Sequence, residues 1–425
     1  MRKALFALAP AATAALVVSL PGAFATTRAE TAGTATPGVT SKSITIGGTF
    51  PLSGPASLYA PIPKGMQVYF QWINSRVNKK DHKRGVYGRQ INWKYYDDAY
   101  NPAQTVQMTN QLLLQDHIFA DVGSLGTAHN EAIRASLNAQ KVPQILVATG
   151  ASEWGRLHKQ YPYTIGWQPD YVSEGVAYAK WLLRNAPNAK IAIFYQNDDY
   201  GKDYVNGFKQ GLGSKTSLIA AEQSYEPTDT SYASQIARLK ASGANTWFLA
   251  TIPTPTVRAL ATAKALNWRP ANIIINSVSA IDAVTNAAQS LAGPTYTVGD
   301  ISTAYLKNND DPAYKKDPWV KNYYRIMHKY APGIDAKNSF YYYGFAKGYD
   351  VVRLLYLAGK NPTRASLIRA VNHMNWVNPY AIKGVKVTTN GTKDAFPISQ
   401  MRLSRFNGSI WKEFGPLING RSPGR

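Results

Sequence analysis

The residues Ser43–Phe50, SITIGGTF, and the loop PLSGP that follows at 51–55 set the pattern for the whole chain. Ile44 and Ile46 alternate with polar residues, which predicts a β-strand. Apolar residues at helical spacing come next: Met66, Tyr69, Phe70, Ile73 and Val77. A strand, a polar loop and an amphipathic helix therefore form the first structural unit.

The same unit recurs along the chain. Further strands are predicted at 90–96, 118–122, 144–148, 190–195, 217–221, 246–250 and 272–276, with helices between them. Strand–helix alternation at this spacing is typical of parallel sheets with helices on both faces. The pattern restarts after Gly166, and two such runs exceed what one sheet usually holds. The sequence therefore predicts an α/β protein with two lobes, each with a parallel central sheet.

The N-terminus has the pattern of a secretory signal peptide. Arg2 and Lys3 precede an apolar run at 4–20, and Ala-Phe-Ala at 23–25 matches a cleavage site. The alternative, a transmembrane anchor, is disfavoured because the run is short, rich in Ala and interrupted by a Pro. We expect a signal peptide at 1–25 and an exported protein.

Composition narrows the classes of function. Residues 26–40 are rich in Thr, Ala, Gly and Pro, which predicts a flexible leader. The chain has 47 Lys plus Arg against 25 Asp plus Glu, a formal charge of +22, and no Cys. Without Cys it has no disulfide, thiolate zinc site, iron–sulfur cluster, thiol nucleophile or lipoprotein anchor. The expected location is the periplasm or cell envelope, as a soluble protein and not a lipoprotein.

No local motif indicates catalysis or a bound metal. The chain lacks a G-x-S-x-G elbow, a P-loop and an H-E-x-x-H motif. No two of its six His lie four residues apart, so no metal and no cofactor are predicted. His129 falls in a candidate loop, but a helix N-terminal or surface position explains it better than a functional role. We therefore expect a protein that is not an enzyme; an exported hydrolase with scattered catalytic residues is the weaker alternative.

The positive charge does not indicate a nucleic-acid partner. Basic residues are dispersed, and the one dense cluster is Lys79, Lys80, Lys83 and Arg84. Such a cluster is typical of a solvated surface loop. Export also separates the protein from nucleic acids, so none is expected as a partner.

Several motifs in order carry a family resemblance. At 44–55 (ITIGGTFPLSGP) and at 95–102 (YYDDAYNP), the sequence resembles the solute-binding proteins of branched-chain amino acid ABC importers, the Leu/Ile/Val-binding type. Val142-Pro143 with ATGAS at 148–152 is similar to that family's fourth strand and loop. Asp199-Tyr200-Gly201 and IARLK at 236–240 are similar to its second-lobe turn and helix. The resemblance extends from about residue 41 to the C-terminus.

The resemblance implies a periplasmic-binding-protein-like I fold. Two Rossmann-like lobes would be joined by a three-strand hinge, with crossovers near 166–168, 300–303 and 383–385. The N-terminal lobe would comprise 41–166 plus 301–383, and the C-terminal lobe 167–300 plus 384–425. The implied function is capture of a small molecule between the lobes by a monomer, followed by docking on an ABC permease. A clamp that senses a ligand and signals to a membrane receptor is the alternative.

Ligand-binding residues carry over by the same resemblance. Those that match the family pattern are Ser53, Tyr59, Thr127, Gly150, Ser152 and Tyr200. Two positions depart from it: Thr251 replaces an aromatic residue, and Ser277 falls on or near the carboxylate that pairs with a ligand ammonium group. Asp170 or Asp199 are possible substitutes for that carboxylate. The expected ligand is a branched-chain amino acid or, in view of Ser277, a small organic acid, an amide or an aromatic carboxylate.

Overall fold

The computed structural model of the protein describes residues 36–79 and 82–420. The predicted signal peptide, the leader before residue 36 and Lys80 lie outside the described residues. Residues 36–40, expected to end a flexible leader, instead form a turn bound to the first strand: the Thr45 N–H donates to the Gly38 carbonyl at 2.7 Å. Gly38 has φ +76°, and an added Cβ would lie 2.2 Å from the Phe119 nitrogen, so only Gly fits this turn.

The first sheet is parallel throughout. Its strand order is β2-β1-β3-β4-β5, and the chain Ser43–Phe50 occupies the interior as β1, buried from Ile44 onward. The elements in chain order are β1 (Ser43–Phe50), α1 (Pro61–Ser75), β2 (Gln90–Asp97), α2 (Pro102–Leu114), β3 (Asp121–Val122), α3 (Thr127–Ala139), β4 (Gln144–Val147), α4 (Glu153–Arg156) and β5 (Thr164–Gly166).

The second sheet has seven strands in the order β14-β13-β10-β9-β8-β6-β7. Its first elements are α5 (Tyr171–Asn185), β6 (Ile191–Gln196), α6 (Asp199–Leu212), β7 (Ile219–Tyr225), α7 (Ala233–Ala241), β8 (Thr246–Ala250), α8 (Pro253–Ala265), β9 (Asn272–Ile275), α9 (Asp282–Ala292) and β10 (Ile301–Ala304). The chain then continues through α10 (Pro318–Tyr330), α11 (Ser339–Leu357), α12 (Arg364–Val371), β11 (Asn375–Trp376), β12 (Val387–Thr388), β13 (Gln400–Phe406) and β14 (Trp411–Asn419). The pairs of β13 with β10 and β14 are antiparallel, and the other pairs of this sheet are parallel.

The chain passes between the two sheets three times. It leaves the first sheet after β5, and leaves the second after β10 to form α10–α12, where α10 and α11 pack on α1 and α12 packs on α11. It then returns to the second sheet as β13. The predicted two-lobe α/β fold with parallel central sheets is therefore confirmed.

Two strands lie across the lobe boundaries implied by the resemblance. Ile301–Ala304 pairs with β9 and β13, so it belongs to the second sheet and not to the N-terminal lobe. Val387–Thr388 pairs with Asn375–Trp376, not with the second sheet. In both places the strand pairing continues a few residues past the position where the resemblance puts the crossover.

Close helix packing holds the N-terminal lobe together. Gly65 of α1 and Gly344 of α11 face each other's backbones: an added Cβ would lie 2.2 Å from the Tyr341 carbonyl oxygen and 2.0 Å from that of Ile62, respectively. Two glycines therefore allow the two helix axes to approach. Within the described part of the chain, every helix falls short of the length and apolar character needed to cross a bilayer.

Candidate ligand-binding site

A cavity of about 130 Å³ lies between the two lobes. Residues that follow the carboxyl ends of strands line it: Tyr59 after β1, Thr127 after β3, Thr149 after β4, Tyr200 after β6 and Ser277 after β9. Loops at these ends of parallel strands are the usual ligand-binding edge of α/β proteins. Both lobes and the second crossover therefore enclose one space.

Four of the residues carried over by resemblance line this cavity: Tyr59, Thr127, Tyr200 and Ser277. The Thr127 hydroxyl lies 2.6 Å from the Thr149 hydroxyl, and both are buried. The Tyr59 hydroxyl donates to the Val278 carbonyl at 3.5 Å, a contact between the lobes.

Ser53 and Thr251 lie outside the cavity lining. The Ser53 N–H and hydroxyl both donate to the Asp97 carboxylate, at 3.2 and 2.6 Å, and so close the turn after β1. Thr251 is fully buried, with its hydroxyl 2.5 Å from that of Thr256 at the start of α8. Both side chains support loops and do not face the cavity.

Gly150 and Ser152 also lie outside the lining, where they join the lobes. The Gly150 carbonyl accepts from the Tyr171 N–H at 2.8 Å, and a Cβ there would lie 2.3 Å from the Pro169 carbonyl oxygen. The Ser152 N–H and hydroxyl donate to the Asp203 carboxylate of α6, at 2.6 and 3.2 Å. These residues form contacts across the cleft.

A buried carboxylate that the sequence did not single out lies behind Ser277. Glu174 of α5 accepts from the Ser277 N–H at 2.7 Å, the Ser277 hydroxyl at 2.8 Å and the Tyr204 hydroxyl at 2.9 Å, and also from the Tyr178 hydroxyl. Burial raises the pKa of Glu174, and these hydrogen bonds oppose the increase. Its two oxygens are occupied by four protein donors, which leaves little capacity for a ligand.

The two acids named above as substitutes for the missing carboxylate, Asp170 and Asp199, do not line the cavity. Asp170 caps α5 by accepting from the Ser173 N–H and hydroxyl, and Asp199 lies in the first turn of α6 outside the lining. Asp282 does line the cavity; burial raises its pKa to about 6, although the Asn308 amide and the Trp411 N–H both donate to it. Among the described residues no group of three or more His, Asp or Glu is placed to hold a metal.

Neutral aromatic residues dominate the rest of the wall. Tyr100, Tyr171 and Tyr200 line the cavity, and burial raises the pKa of each hydroxyl, so all three are protonated at neutral pH. His129, the third residue of α3, is buried with its ring centroid 4.2 Å from that of Tyr100. Burial lowers the pKa of His129 to about 4, so the ring is neutral and is not the surface residue that was one of the expectations.

A carboxyl pair lies close to the cleft, on α3 and α4. The pKa of Glu131 is raised to about 9, mainly by burial and next by a hydrogen bond with Glu153. The charge of Asp199 in the other lobe adds to the increase. Arg134 donates to the second oxygen of Glu153 at 2.6 Å. The raised pKa of Glu131 therefore keeps its carboxyl group protonated at neutral pH.

Replacing Glu131 with Gln should stabilise the protein increasingly as pH rises. The pKa of Glu131 is higher in the folded protein than in the unfolded chain. The stability that the protonated Glu131 contributes is therefore fully present only below the unfolded pKa, and it is lost as pH rises towards 9. Gln keeps a donor for Glu153 without a titrating proton. We expect equal Tm values at pH 4 and a Tm about 2–4 °C higher for Glu131→Gln at pH 9, measured by calorimetry.

The matched control is Glu222→Gln, which removes a partly exposed ion pair with Lys209. Its Tm difference from the wild type should stay constant from pH 6 to 9. A Tm difference for Glu131→Gln that does not change with pH would show that Glu131 is ionised in the fold.

Comparison with known proteins agrees with this architecture. A family model described as periplasmic binding protein matches residues 43–409. The Leu/Ile/Val-binding protein homolog 3 of Brucella melitensis is 26% identical over 203 residues, or 47% of this chain and 52% of that protein. The chain thus spans about half the length of the curated relatives it matches.

Two solved structures share the fold. One is a branched chain amino acid ABC transporter protein from Thermus thermophilus with bound valine (TM-score 0.74, 18% identity, 89% of this chain and 96% of that one). The other is an ABC transporter solute binding protein from R. palustris in complex with 4-hydroxybenzoate (TM-score 0.71, 18% identity, 90% and 98%). With the family model covering most of its length, the chain belongs to the periplasmic binding protein family.

Proposed function

We propose that this protein is an exported solute-binding protein that captures a small organic acid between its lobes and delivers it to an ABC permease. Residues of both lobes line one cavity, and contacts such as Ser152–Asp203 join the lobes beside it. A ligand that contacts both lobes stabilises the closed form relative to the open one. The closed form is the species that the permease would recognise.

The observation that carries the choice of ligand is the pairing of Ser277 with Glu174. A free amino acid needs an anionic or multi-acceptor partner for its ammonium group in a closed cleft. By resemblance that partner belongs at or near Ser277, and the carboxylate behind it is already occupied by Ser277, Tyr178 and Tyr204. An ammonium group would have to displace these donors, which disfavours a free amino acid.

The opposite side of the cavity suits an anion. Gly126, the N-cap residue of α3, has no side chain to cap the first N–H groups of that helix, and Thr127 and Thr149 add hydroxyls. A helix N-terminus with free N–H groups stabilises a carboxylate. The volume also fits a small ligand, since a cavity of about 150 Å³ in another protein holds benzene.

Solved structures of this fold hold chemically different ligands. A single fold is known with valine in one protein and 4-hydroxybenzoate in another, so fold alone does not choose between amino acid and aromatic acid. We infer that Tyr59, Thr127, Tyr200 and Ser277 contact the ligand. Ser53, Gly150, Ser152 and Thr251 would act by shaping the loops and the contact between lobes.

Binding of defined ligands to the purified protein tests this proposal. We expect benzoate or 4-hydroxybenzoate to bind with a micromolar Kd in titration calorimetry, and Leu and Val to give no heat at millimolar concentration. Native mass spectrometry before and after mild denaturation would identify any ligand that co-purifies. Micromolar binding of Leu, or a released mass equal to Leu, Ile or Val, would overturn the ligand class and make Asp282 the first candidate for the ammonium partner.

Export and delivery have separate tests. N-terminal sequencing of protein recovered from the cell envelope should begin after residue 25, and uptake of the labelled ligand should require this protein together with a permease. A ligand-dependent signal without uptake would favour the sensor alternative.

A further inference from the structure

We propose that the hydroxyl protons of Tyr100, Tyr171 and Tyr200, here called the phenol triad, bind the carboxylate of the ligand and select an acid over the corresponding amide. The inference rests on the proposed function and narrows its ligand class. It comes from the direction of three hydrogen bonds, because each hydroxyl of the triad accepts from an amide side chain. A phenol that accepts through its oxygen still has its own proton to donate.

The direction is set most clearly at Tyr100. The side-chain nitrogen of Gln196 donates to the Tyr100 hydroxyl at 3.3 Å and to the Asp198 carboxylate at 2.7 Å. The Gln196 oxygen accepts from the Tyr225 hydroxyl at 3.0 Å, and the Tyr225 oxygen accepts from the Ile252 N–H at 3.1 Å. A backbone N–H can only donate a hydrogen bond, and a carboxylate can only accept one. These two groups at the ends of the chain therefore fix the orientation of the Gln196 amide, with its nitrogen towards Tyr100.

A second chain of hydrogen bonds ends at Tyr171. The Tyr343 hydroxyl donates to the oxygen of Gln168 at 2.8 Å, and the nitrogen of Gln168 donates to the Tyr171 hydroxyl at 3.2 Å. Gln168 lies in the first crossover, between β5 and α5, which is a hinge segment by the resemblance. The hinge segment therefore determines that Tyr171 presents a proton.

The third pair is Asn276 and Tyr200, in which the side-chain nitrogen of Asn276 donates to the hydroxyl. The Tyr171 and Tyr200 rings lie 5.2 Å apart, edge to face, in the wall of the cavity. The Thr149 hydroxyl and the Gly150 N–H also lie within hydrogen-bond reach of the Tyr171 hydroxyl. The three amide side chains donate to the hydroxyl oxygens, so the protons of the triad are available to a carboxylate in the cavity.

Such a wall distinguishes an acid from its amide. A carboxylate offers only acceptor positions, whereas a primary amide has two N–H donors that would meet the phenol protons. The cavity supplies little positive charge, since Lys307, the basic side chain in its lining, already donates to Asp317 and to the Pro379 carbonyl. Hydrogen bonds from neutral donors would therefore carry the recognition of the anion.

The test compares benzoate with benzamide in titrations of Tyr100→Phe, Tyr171→Phe and Tyr200→Phe. Each change removes one proton and keeps the ring. We expect each to weaken benzoate binding about 10- to 100-fold, since a hydrogen bond to a charged group is worth that much. We expect benzamide to bind the wild type more weakly than benzoate, and to lose less in each variant.

The control is Tyr323→Phe, a buried tyrosine outside the cavity whose hydroxyl donates to the Ala336 carbonyl. It should leave benzoate binding unchanged, and unliganded Tm values show whether each variant is folded. Benzoate binding that survives all three changes would overturn the phenol triad while the proposed function stands. Failure of every acid to bind the wild type would overturn the proposed ligand class and the triad with it.

Discussion

Replacing Glu174 with Ala is expected to lower the free energy of unfolding by about 3 kcal/mol, because it leaves buried donors without an acceptor. The Ser277 N–H, the Ser277 hydroxyl and the hydroxyls of Tyr178 and Tyr204 all donate to this carboxylate. Each unpaired buried donor costs about 1–3 kcal/mol, partly offset by removal of a buried charge. Urea unfolding followed by circular dichroism measures the loss.

The same change should also weaken ligand binding. Glu174 holds the loop that carries Ser277 against α5, so its loss leaves one wall of the cavity unsupported. Glu174→Gln should show a smaller loss of stability, since the side chain still fills the space. The exposed-pair variant Glu222→Ala should change stability by less than about 1 kcal/mol. An Ala variant as stable as the wild type would mean that Glu174 is protonated or that water replaces it.

Asp350→Ala should be the second large effect, with a loss of about 3–5 kcal/mol in the free energy of unfolding. Asp350 on α11 accepts from the indole N–H groups of Trp167 at 2.8 Å and Trp376 at 2.7 Å, and from the Asn378 amide at 3.0 Å. The carboxyl group is fully buried, and burial raises its pKa to about 6. Removing it leaves three buried donors unpaired.

The position of Asp350 predicts a second consequence, for ligand affinity. Trp167 lies between β5 and α5 and Asn378 follows β11, so one carboxylate connects two segments near the crossovers to α11. Asp350→Ala should therefore weaken benzoate binding as well as stability, in titrations made well below the unfolding temperature. The control is Asp310→Ala, which removes an exposed ion pair with Lys337. It should change stability and benzoate binding only slightly. Full stability in Asp350→Ala would contradict the connecting role.

Local sequence pattern was sufficient for most of the fold. Ser43–Phe50 and Thr246–Ala250 are strands with the bounds that the pattern predicts, because alternating or continuous apolar residues between polar loops depend only on neighbours along the chain. Gln400–Phe406 and Trp411–Asn419 were not predicted. These antiparallel strands extend the second sheet; Gln400–Phe406 pairs with β10, about 100 residues earlier in the chain, and Trp411–Asn419 pairs with Gln400–Phe406.

The sequence predicted four residues that line the cavity, but not the direction of the side chains around it. Parallel strands end at one edge of their sheet, which brings together Tyr59 with Thr127 in one lobe and Tyr200 with Ser277 in the other. A resemblance aligns positions along a chain and does not report where a side chain points. Ser53 and Thr251 therefore aligned with binding residues, although their hydroxyls bond Asp97 and Thr256.

What the sequence alone established is the two-lobe fold, since it follows from residue types and their order; the departure at Ser277 is an implication of the resemblance and stays a prediction. Only the tertiary structure placed Glu174 behind Ser277, 103 positions away, and Gln196 against Tyr100, 96 positions away. These contacts join elements that lie far apart along the chain, so the periodicity of the sequence does not predict them. The direction of a buried hydrogen bond depends on every partner around it, and those partners meet only when the elements that carry them are folded and packed together.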